Sequence, residues 1–371
     1  MNDQEYMRRA IALAKQGAGW TAPNPMVGAV IVKQGRIIGE GWHRRCGELH
    51  AERNAIASLQ ESAEGATLYV TLEPCCHYGR TPPCTEAILE QGIARVVIGS
   101  RDPNPLVAGK GAAMLRANGV LVEEDFLREE CDSINPVFFH YITTGKPYVV
   151  MKYAMTLDGK IATYTGASKW ITGEAARQHV HQLRGRYRAI LAGIGTVLAD
   201  DPMLNCRLPG FRQPVRIIVD SRLRIPLNSQ LVTTAKDYRT IVACAEGTVE
   251  KEAALQDRGV EVLRCPNQDG QVDLWLLMER LGNMELDSVL IEGGGVIHEA
   301  ALRAGIVNHV CAYVAPKLFG GGAAKSPVEG AGVSSPEQCA KLNHLQITQL
   351  GEDLLLEYDV AGGMNGVYWN R

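Results

Sequence analysis

The chain has no apolar run near the roughly 20 residues that a membrane-spanning helix requires. Its first residues, Met1-Asn2-Asp3-Gln4-Glu5, are acidic and lack the basic-then-apolar order of a secretory signal. Net charge is only -3, and no basic stretch is interleaved with aromatic residues. Neither a global field nor a stacking platform therefore favours nucleic acid. Small anions remain open as ligands, because one or two local Arg or Lys residues suffice to hold them. Ten cysteines in 371 residues are too sparse for a small secreted disulfide scaffold. There is no internal repeat, no low-complexity tract and no Gly-x-Gly-x-x-Gly, so the Rossmann fingerprint is missing. These absences lead to the expectation of a soluble, cytoplasmic protein with neither membrane nor nucleic acid as partner.

What is present points to two domains. A length of 371 residues favours two over one, and 46% hydrophobic residues suffice for substantial cores. The periodicity predicts an amphipathic helix over 3–16, a hairpin of strands 27–32 and 37–42 turning at Gln34-Gly35, and a helix over 50–59. A buried strand over 67–72, a helix from 84, a strand over 95–99 and a helix over 111–117 follow. This order suggests a three-layer α/β domain. A connecting helix and turn end at Thr144-Gly145-Lys146-Pro147, which sets the expected domains at 1–145 and 146–371. The second α/β pattern has strands at 148–154, 189–192, 215–220, 240–244, 260–264, 288–292 and 309–315. Helices fit 173–185, 249–258, 271–282 and 296–304.

The most specific chemistry lies in His50-Ala51-Glu52, Glu73-Pro74-Cys75-Cys76-His77 and Pro83-Cys84. They supply one imidazole, two thiolates and a carboxylate that need not bind metal, the ligand set of a catalytic zinc site with one position left for water. Zinc lowers the pKa of that water to about 7. The same kit, a His-x-Glu followed by Pro-Cys and a second Cys, marks the zinc deaminases. Eight residues separate Cys75 from Cys84 where two are usual. Cys76 and His77 are rival ligands in principle. Cys75 and Cys84 are preferred because each follows a proline directly and Cys84 opens a helix. A closed structural zinc site is the alternative, and Glu52 beside the ligand set argues against it.

The second half offers weaker signals. Leu290-Ile291-Glu292-Gly293-Gly294-Gly295-Val296 reads strand, triple glycine, helix, an arrangement that lets backbone N–H groups approach phosphate. Leu157-Asp158-Gly159, Ser168-Lys169-Trp170-Ile171-Thr172 and the segment 193–207 read as polar loops after apolar strands, where ligands usually bind.

Together these motifs resemble one family over nearly the whole chain, the bifunctional riboflavin-biosynthesis deaminase–reductases. The first half carries Pro23-Asn24-Pro25-Met26-Val27-Gly28-Ala29, His50-Ala51-Glu52, Thr71-Leu72-Glu73-Pro74-Cys75, Gly79-Arg80-Thr81-Pro82-Pro83-Cys84 and Asp102-Pro103-Asn104-Pro105. The second carries Leu157-Asp158-Gly159, Ser168 to Thr172, Thr196-Val197-Leu198-Ala199-Asp200-Asp201-Pro202 and Glu292-Gly293-Gly294. The long gap between the cysteines is the form this family uses. The resemblance implies a cytidine-deaminase-like three-layer domain followed by a dihydrofolate-reductase-like α/β domain. It implies zinc-dependent deamination of 2,5-diamino-6-(5-phosphoribosylamino)pyrimidin-4-one, then NADPH-dependent reduction of the product's ribose to a ribityl chain.

For the first site the resemblance implies zinc on His50, Cys75 and Cys84, with Glu52 as the proton carrier. Asn24 would orient the base, His43, Arg80 and Asn104 would bind the ribose phosphate, and Asp102 would hold a ribose hydroxyl or a neighbour. For the second it implies NADPH on Ala154, Trp170, Thr196, Asp200, Gly294, Gly295, Val296, Ile297, His298, Glu299 and Ala300. Substrate would meet Ser168, Arg184, Leu204, Arg207 and Glu292, with the arginines at its phosphate and Lys152 assisting the sugar. The preference for NADPH over NADH rests on this resemblance alone. A dimer or tetramer is the expected assembly. Rival readings are a nucleic-acid-editing zinc deaminase with an accessory domain and a non-catalytic, structural-zinc protein that binds a nucleotide.

Overall fold

Asn2 opens the first helix with a reciprocal cap: its side chain accepts from the Glu5 N–H, and the Glu5 carboxylate accepts from the Asn2 N–H. In this computed structural model, which describes residues 1–78, 82–104 and 107–361, the chain forms two units, Met1–Gly145 and Lys146–Arg371.

In the first unit, helix α1 (Asp3–Ala14) is followed by the hairpin β1 (Gly28–Lys33) and β2 (Arg36–Trp42). Then come α2 (Ala51–Ala57), β3 (Thr67–Leu72), α3 (Cys84–Glu90), β4 (Arg95–Ser100), α4 (Lys110–Ala117) and β5 (Leu121–Glu123). Helices α5 (Arg128–Asp132) and α6 (Pro136–Thr144) complete it. The sheet order is β2-β1-β3-β4-β5, antiparallel across β2-β1-β3 and parallel across β3-β4-β5. Two glycines show why helices pack on both faces. A Cβ on Gly28 would lie 1.9 Å from the Ala10 carbonyl oxygen of α1, and one on Gly41 would lie 2.3 Å from the Ala55 nitrogen of α2. Gly41 is paired with Ala29, the next residue along β1, so the two glycines face opposite sides. The result is the expected three-layer arrangement, with α2 and its catalytic candidates pressed onto β2.

The second unit runs β6 (Tyr148–Thr156), α7 (Glu174–Arg186), β7 (Ala189–Gly193), α8 (Ile194–Asp200), β8 (Val215–Val219), α9 (Gln230–Thr233), β9 (Thr240–Cys244), α10 (Val249–Gln256) and β10 (Val260–Arg264). It continues with α11 (Leu274–Asn283), β11 (Ser288–Ile291), α12 (Gly295–Arg303), β12 (His309–Ala315), β13 (Leu342–Leu350) and β14 (Asp353–Val360). Nine strands form one sheet in the order β10-β9-β8-β7-β11-β6-β12-β14-β13. It is parallel from β10 to β12 and antiparallel through β14 and β13. Apolar side chains alternate to both faces, Leu191 and Ile217 into one core and Ile190 and Ile218 into the other. Among the described residues, no helix is long and apolar enough to cross a membrane.

The seven strands expected in this half are present, with ends moved by no more than two residues. Three expectations change. The segment after Gly193 is a helix, α8, rather than a loop; seven residues that begin at a Gly-rich turn carry little periodic signal. The short edge strand β5 was not anticipated. Strands β13 and β14 were missed because β13 is exposed along nearly its whole length and shows no alternation to read.

Candidate active sites

The first site is built where α2 and α3 begin. His50 is the extended N-cap residue of α2, Glu52 lies in that helix's first turn, and Cys84 is the first residue of α3. Cys75 follows β3 in a loop whose Glu73 carboxylate accepts from the N–H groups of Gly109 (2.9 Å) and Ala112 (3.1 Å), tying the loop to the start of α4. The His50 Nδ1 lies 3.5 Å from Cys75 Sγ and 3.5 Å from Cys84 Sγ. The Cys84 N–H also points at Cys75 Sγ, at 3.4 Å. Among the described residues, this cluster takes in neither Cys76 nor His77.

Charge is crowded here. The neighbouring Cys84 thiol, with His50, pulls the Cys75 thiol down to about 4, while Cys75 pushes Cys84 well up. Two adjacent sulfurs thus share one proton unless a cation replaces it. Glu52 is buried, and desolvation followed by the Cys75 charge pushes its carboxyl up. Asp102, after β4, is pushed up to about 6, mainly by burial, and its Oδ1 accepts from the Asn104 N–H at 2.8 Å.

The structure revises the role expected of His43. It is 2% exposed, its Nδ1 faces the Leu49 carbonyl at 3.1 Å, and its Nε2 lies 3.2 Å from the Asn24 amide nitrogen. With Nδ1–H donating to Leu49, Nε2 accepts from Asn24. Burial lowers its pKa, so the ring is held neutral. A neutral imidazole with both nitrogens engaged has nothing to offer a phosphate; it fixes the Asn24 amide instead. Arg80 lies outside the described residues.

The second site is a cavity of about 1780 Å³ at the carboxyl ends of β6, β7 and β11. It exceeds the roughly 300–1,000 Å³ of an ordinary single-ligand pocket. Ala154, Trp170, Thr196, Asp200, Gly294 to Ile297, Glu299 and Ala300 line it, as do Lys152, Ser168, Arg184, Arg207 and Glu292. Two expected residues do not. Leu204 is 4% exposed and packs in the core beneath the loop, and His298 is fully buried on the inner side of α12, its Nδ1 2.7 Å from the Pro327 carbonyl oxygen. Only Gly294 of the triple glycine has open space around it; a side chain at Gly293 would strike Ile297, and one at Gly295 would strike Glu329.

Arg184 is held by the site's own residues. Its Nε and a terminal nitrogen donate to the two Glu292 oxygens at 2.7 and 2.9 Å, and the other terminal nitrogen donates to the Asn205 carbonyl at 3.0 Å. Three of its five N–H groups are thus committed, and Arg184 anchors Glu292 from the cavity wall. Lys152 Nζ lies 3.8 Å from Glu292 on the other side. Burial raises the Glu292 pKa, but Arg184 and Lys152 outweigh it and the net falls to about 2. Burial lowers the Lys152 pKa against the attraction of Glu292.

Residues 147–356 match the family described as the RibD C-terminal domain. Residues 1–100 match the cytidine and deoxycytidylate deaminase zinc-binding region. A riboflavin biosynthesis protein RibD from Actinobacillus pleuropneumoniae is 57% identical over 360 residues, covering 97% of this chain and 96% of its own. The chain belongs to the RibD family. A RibD of Bacillus amyloliquefaciens is 44% identical over the full length of both chains. The solved structure of Acinetobacter baumannii RibD superposes with a TM-score of 0.85 at 40% identity, covering 97% of this chain and 99% of that one. Such proteins are bifunctional enzymes of riboflavin biosynthesis with a zinc-type deaminase domain and an NADPH-using reductase domain.

The residues present fit both groups. Ligand atoms on a tetrahedral zinc, bonded at about 2.0–2.3 Å, stand about 3.3–3.8 Å apart, and His50 meets both sulfurs at 3.5 Å. The proton shared by the two thiols is what a cation would displace. The second cavity adds Ser221, Arg222 and Arg224 beyond β8, cations and a hydroxyl suited to a nucleotide phosphate, which spacing alone did not reveal. Arg177, Gln178 and His181 were missed as well. They precede Arg184 by seven, six and three residues on α7, so a polar stripe on the expected helix over 173–185 held the signal.

Proposed function

We propose that this chain deaminates 2,5-diamino-6-(5-phosphoribosylamino)pyrimidin-4-one in its first unit and reduces the ribosyl group of the resulting aminouracil with NADPH in its second. The observation that carries the reading is a buried carboxylate, Glu52, in the first turn of the helix that His50 caps, beside a His-Cys-Cys triangle of zinc-ligand size. A solved Thermotoga maritima protein, described as a diaminohydroxyphosphoribosylaminopyrimidine deaminase and 5-amino-6-(5-phosphoribosylamino)uracil reductase, is 39% identical and superposes with a TM-score of 0.83.

In the first site His50, Cys75 and Cys84 would hold zinc, which supplies the Lewis acidity that makes water nucleophilic at neutral pH. Glu52 takes the water's proton and returns it to the departing ring amine. Its raised pKa lets it hold that proton between the two events. Asn24, held by His43, presents its amide to the base, and Asp102 and Asn104 face the ribose. In the second site NADPH supplies the hydride. Ala154, Trp170, Thr196 and Asp200 would hold the cofactor with the start of α12, and Ser221 and Arg222 would meet its nucleotide phosphates. Ser168 and Arg207 would bind the substrate, with Arg207 at its phosphate. Lys152, charged through its contact with Glu292, faces the sugar carbon that accepts hydride.

Ammonia release and NADPH absorbance followed together on the diaminopyrimidine ribotide test both halves. Ammonia followed by NADPH loss is expected, and release of ammonia from polynucleotide alone would replace the reading with a nucleic-acid deaminase. We further infer a cytoplasmic enzyme and a homo-oligomer, a dimer or tetramer. The assembly is supported by exposed Leu345 and Ile347 on β13, the outer strand of the sheet.

A further inference from the structure

A second cluster of metal-ligating side chains lies on the other half of the chain, on strands no part of the proposed reaction uses. His309 and Cys311 stand two residues apart on β12, so both face the same side of the sheet. The antiparallel neighbour β14 places Glu357 opposite Cys311 and Asp359 opposite His309. An imidazole, a thiol and a carboxylate thus converge, with one ligand atom from each lying within 4.8 Å of the others. The His309 Nε2 is 3.6 Å from Glu357 Oε1, and Cys311 Sγ is 3.9 Å from the same oxygen. These separations are close to the roughly 3.3–3.8 Å between ligands of a tetrahedral zinc and to those in the His50 cluster.

The surroundings order the imidazole for this task. Asp359 Oδ1 lies 2.9 Å from His309 Nδ1, so Nδ1–H donates to that carboxylate and Nε2 is turned toward Glu357 and Cys311. Burial lowers the ring's pKa, but Asp359, Cys311 and Glu357 outweigh it, so without metal Nε2 also carries a proton, held by Glu357, which an incoming cation would displace. A carboxylate behind a ligating histidine is the usual outer partner of a metal-bound imidazole. Asp359 is itself held from the other side by His344 Nδ1 at 3.1 Å. His344 reaches it from β13, where the strand register shifts between Asn343 and Gln346 and His344 has φ +54°. Cys311 is 1% exposed, whereas the Glu357 side chain keeps 26% of its surface in solvent and His309 19%, leaving a route for an ion to enter.

We propose that His309, Cys311 and Glu357 form a second divalent-metal site, selective for zinc-class ions, which clips the C-terminal hairpin of β13 and β14 onto the parallel sheet. One nitrogen, one sulfur and one oxygen ligand suit borderline ions such as Zn²⁺ or Co²⁺ better than Mg²⁺ or Ca²⁺. The clip acts where the sheet needs it, at the change from parallel to antiparallel pairing.

Metal content of the full-length protein after exhaustive dialysis tests this directly. Two zinc ions per chain are expected, falling to one in Cys311→Ser and in His309→Ala while ammonia release is unchanged. In the Cys75→Ser/Cys84→Ser variant, which keeps only this site, cobalt(II) should give a thiolate charge-transfer band that vanishes when Cys311→Ser is added. Zinc should also raise that variant's melting midpoint, by mass action on the folded state. One zinc per chain in the unsubstituted protein, unchanged by Cys311→Ser, would overturn the proposal. So would a cobalt complex of the double cysteine variant with no thiolate band.

Discussion

Replacing Glu292 by Gln separates the two activities within one polypeptide. The side chains of Lys152 and Glu292 are 14% and 9% exposed, and their charged atoms are 3.8 Å apart. At an effective dielectric constant near 20, that pair attracts by about 4 kcal/mol. The energy corresponds to roughly a thousandfold in the ratio of charged to neutral lysine. Burial already disfavours the ammonium form. Without Glu292 the Lys152 pKa falls further, so the ammonium form loses its support in the site. Arg184 keeps at most one of its two hydrogen bonds, to the glutamine amide oxygen, and stays as a buried cation without its counter-charge, a defect that costs about 3–5 kcal/mol. Glu292→Gln should therefore slow NADPH oxidation by about a hundredfold or more and lower the melting midpoint. Ammonia release should keep its wild-type rate, because its residues belong to the other unit. Lys152→Met separates chemistry from stability, since it leaves the Arg184–Glu292 fork intact. It should lose reduction to a similar degree with little thermal penalty. Wild-type rates of NADPH oxidation in both variants would refute the argument.

In the first site, Glu52→Gln should retain zinc and lower ammonia release by about 10²–10⁴-fold, the usual contribution of a positioned proton carrier; metal analysis and ammonia release decide it, and near-normal turnover would remove Glu52 from the mechanism. Arg207→Ala should raise KM for the phosphorylated substrate far more than for NADPH, whereas equal changes would deny it the phosphate. Asp102, raised to about 6 against an ordinary value near 4, favours folding when protonated. That stability is fully present below the unfolded value and is lost as pH rises through 6. In zinc-free protein, Asp102→Asn should therefore gain up to about 3 kcal/mol over wild type at pH 8 and nothing at pH 3, measured by denaturant unfolding. Equal effects at both pH values would show that Asp102 is not desolvated. His43→Leu should weaken substrate binding through a misplaced Asn24 while zinc stays bound; a change confined to phosphate affinity would restore His43 as a phosphate ligand.

How much of each site could be read beforehand follows from how each is assembled. The His50–Cys75–Cys84 cluster proposed to hold zinc comes from two helix starts and one loop, all between His50 and Cys84. Residue identity and helix caps were enough to find it. What the sequence did not show was burial, so His43 read as a phosphate ligand although its ring is enclosed. The cavity is gathered from β6, α7, α8, β8 and α12, where neighbours in sequence alternate between wall and core. Leu204 sits next to wall-lining segments but turns into the core, and His298 lies on the inner side of α12 between two residues that do line the wall. Arg184 and Glu292 stand 108 positions apart, and nothing local reveals that each is spent on the other. Strand β13 escaped notice for a different reason. Periodicity detects a buried face, and this strand has almost none.

Glu52 and Glu292 show why residue type alone does not assign a role. Both carboxylates are largely withdrawn from water, and burial pushes both upward. At Glu52 the dominant charge nearby is the Cys75 sulfur, which adds to the upward push. At Glu292 the neighbours are Arg184 and Lys152, and they reverse it. Burial and that sulfur therefore favour the protonated form of the first carboxylate, whereas the second stays a fixed anion at every pH the enzyme meets. Glutamine copies the protonated acid, a state Glu52 visits during turnover and Glu292 never does. The same substitution should consequently leave the fold and metal of the first site intact while stopping its proton transfer. In the second site it should disrupt the electrostatic framework itself.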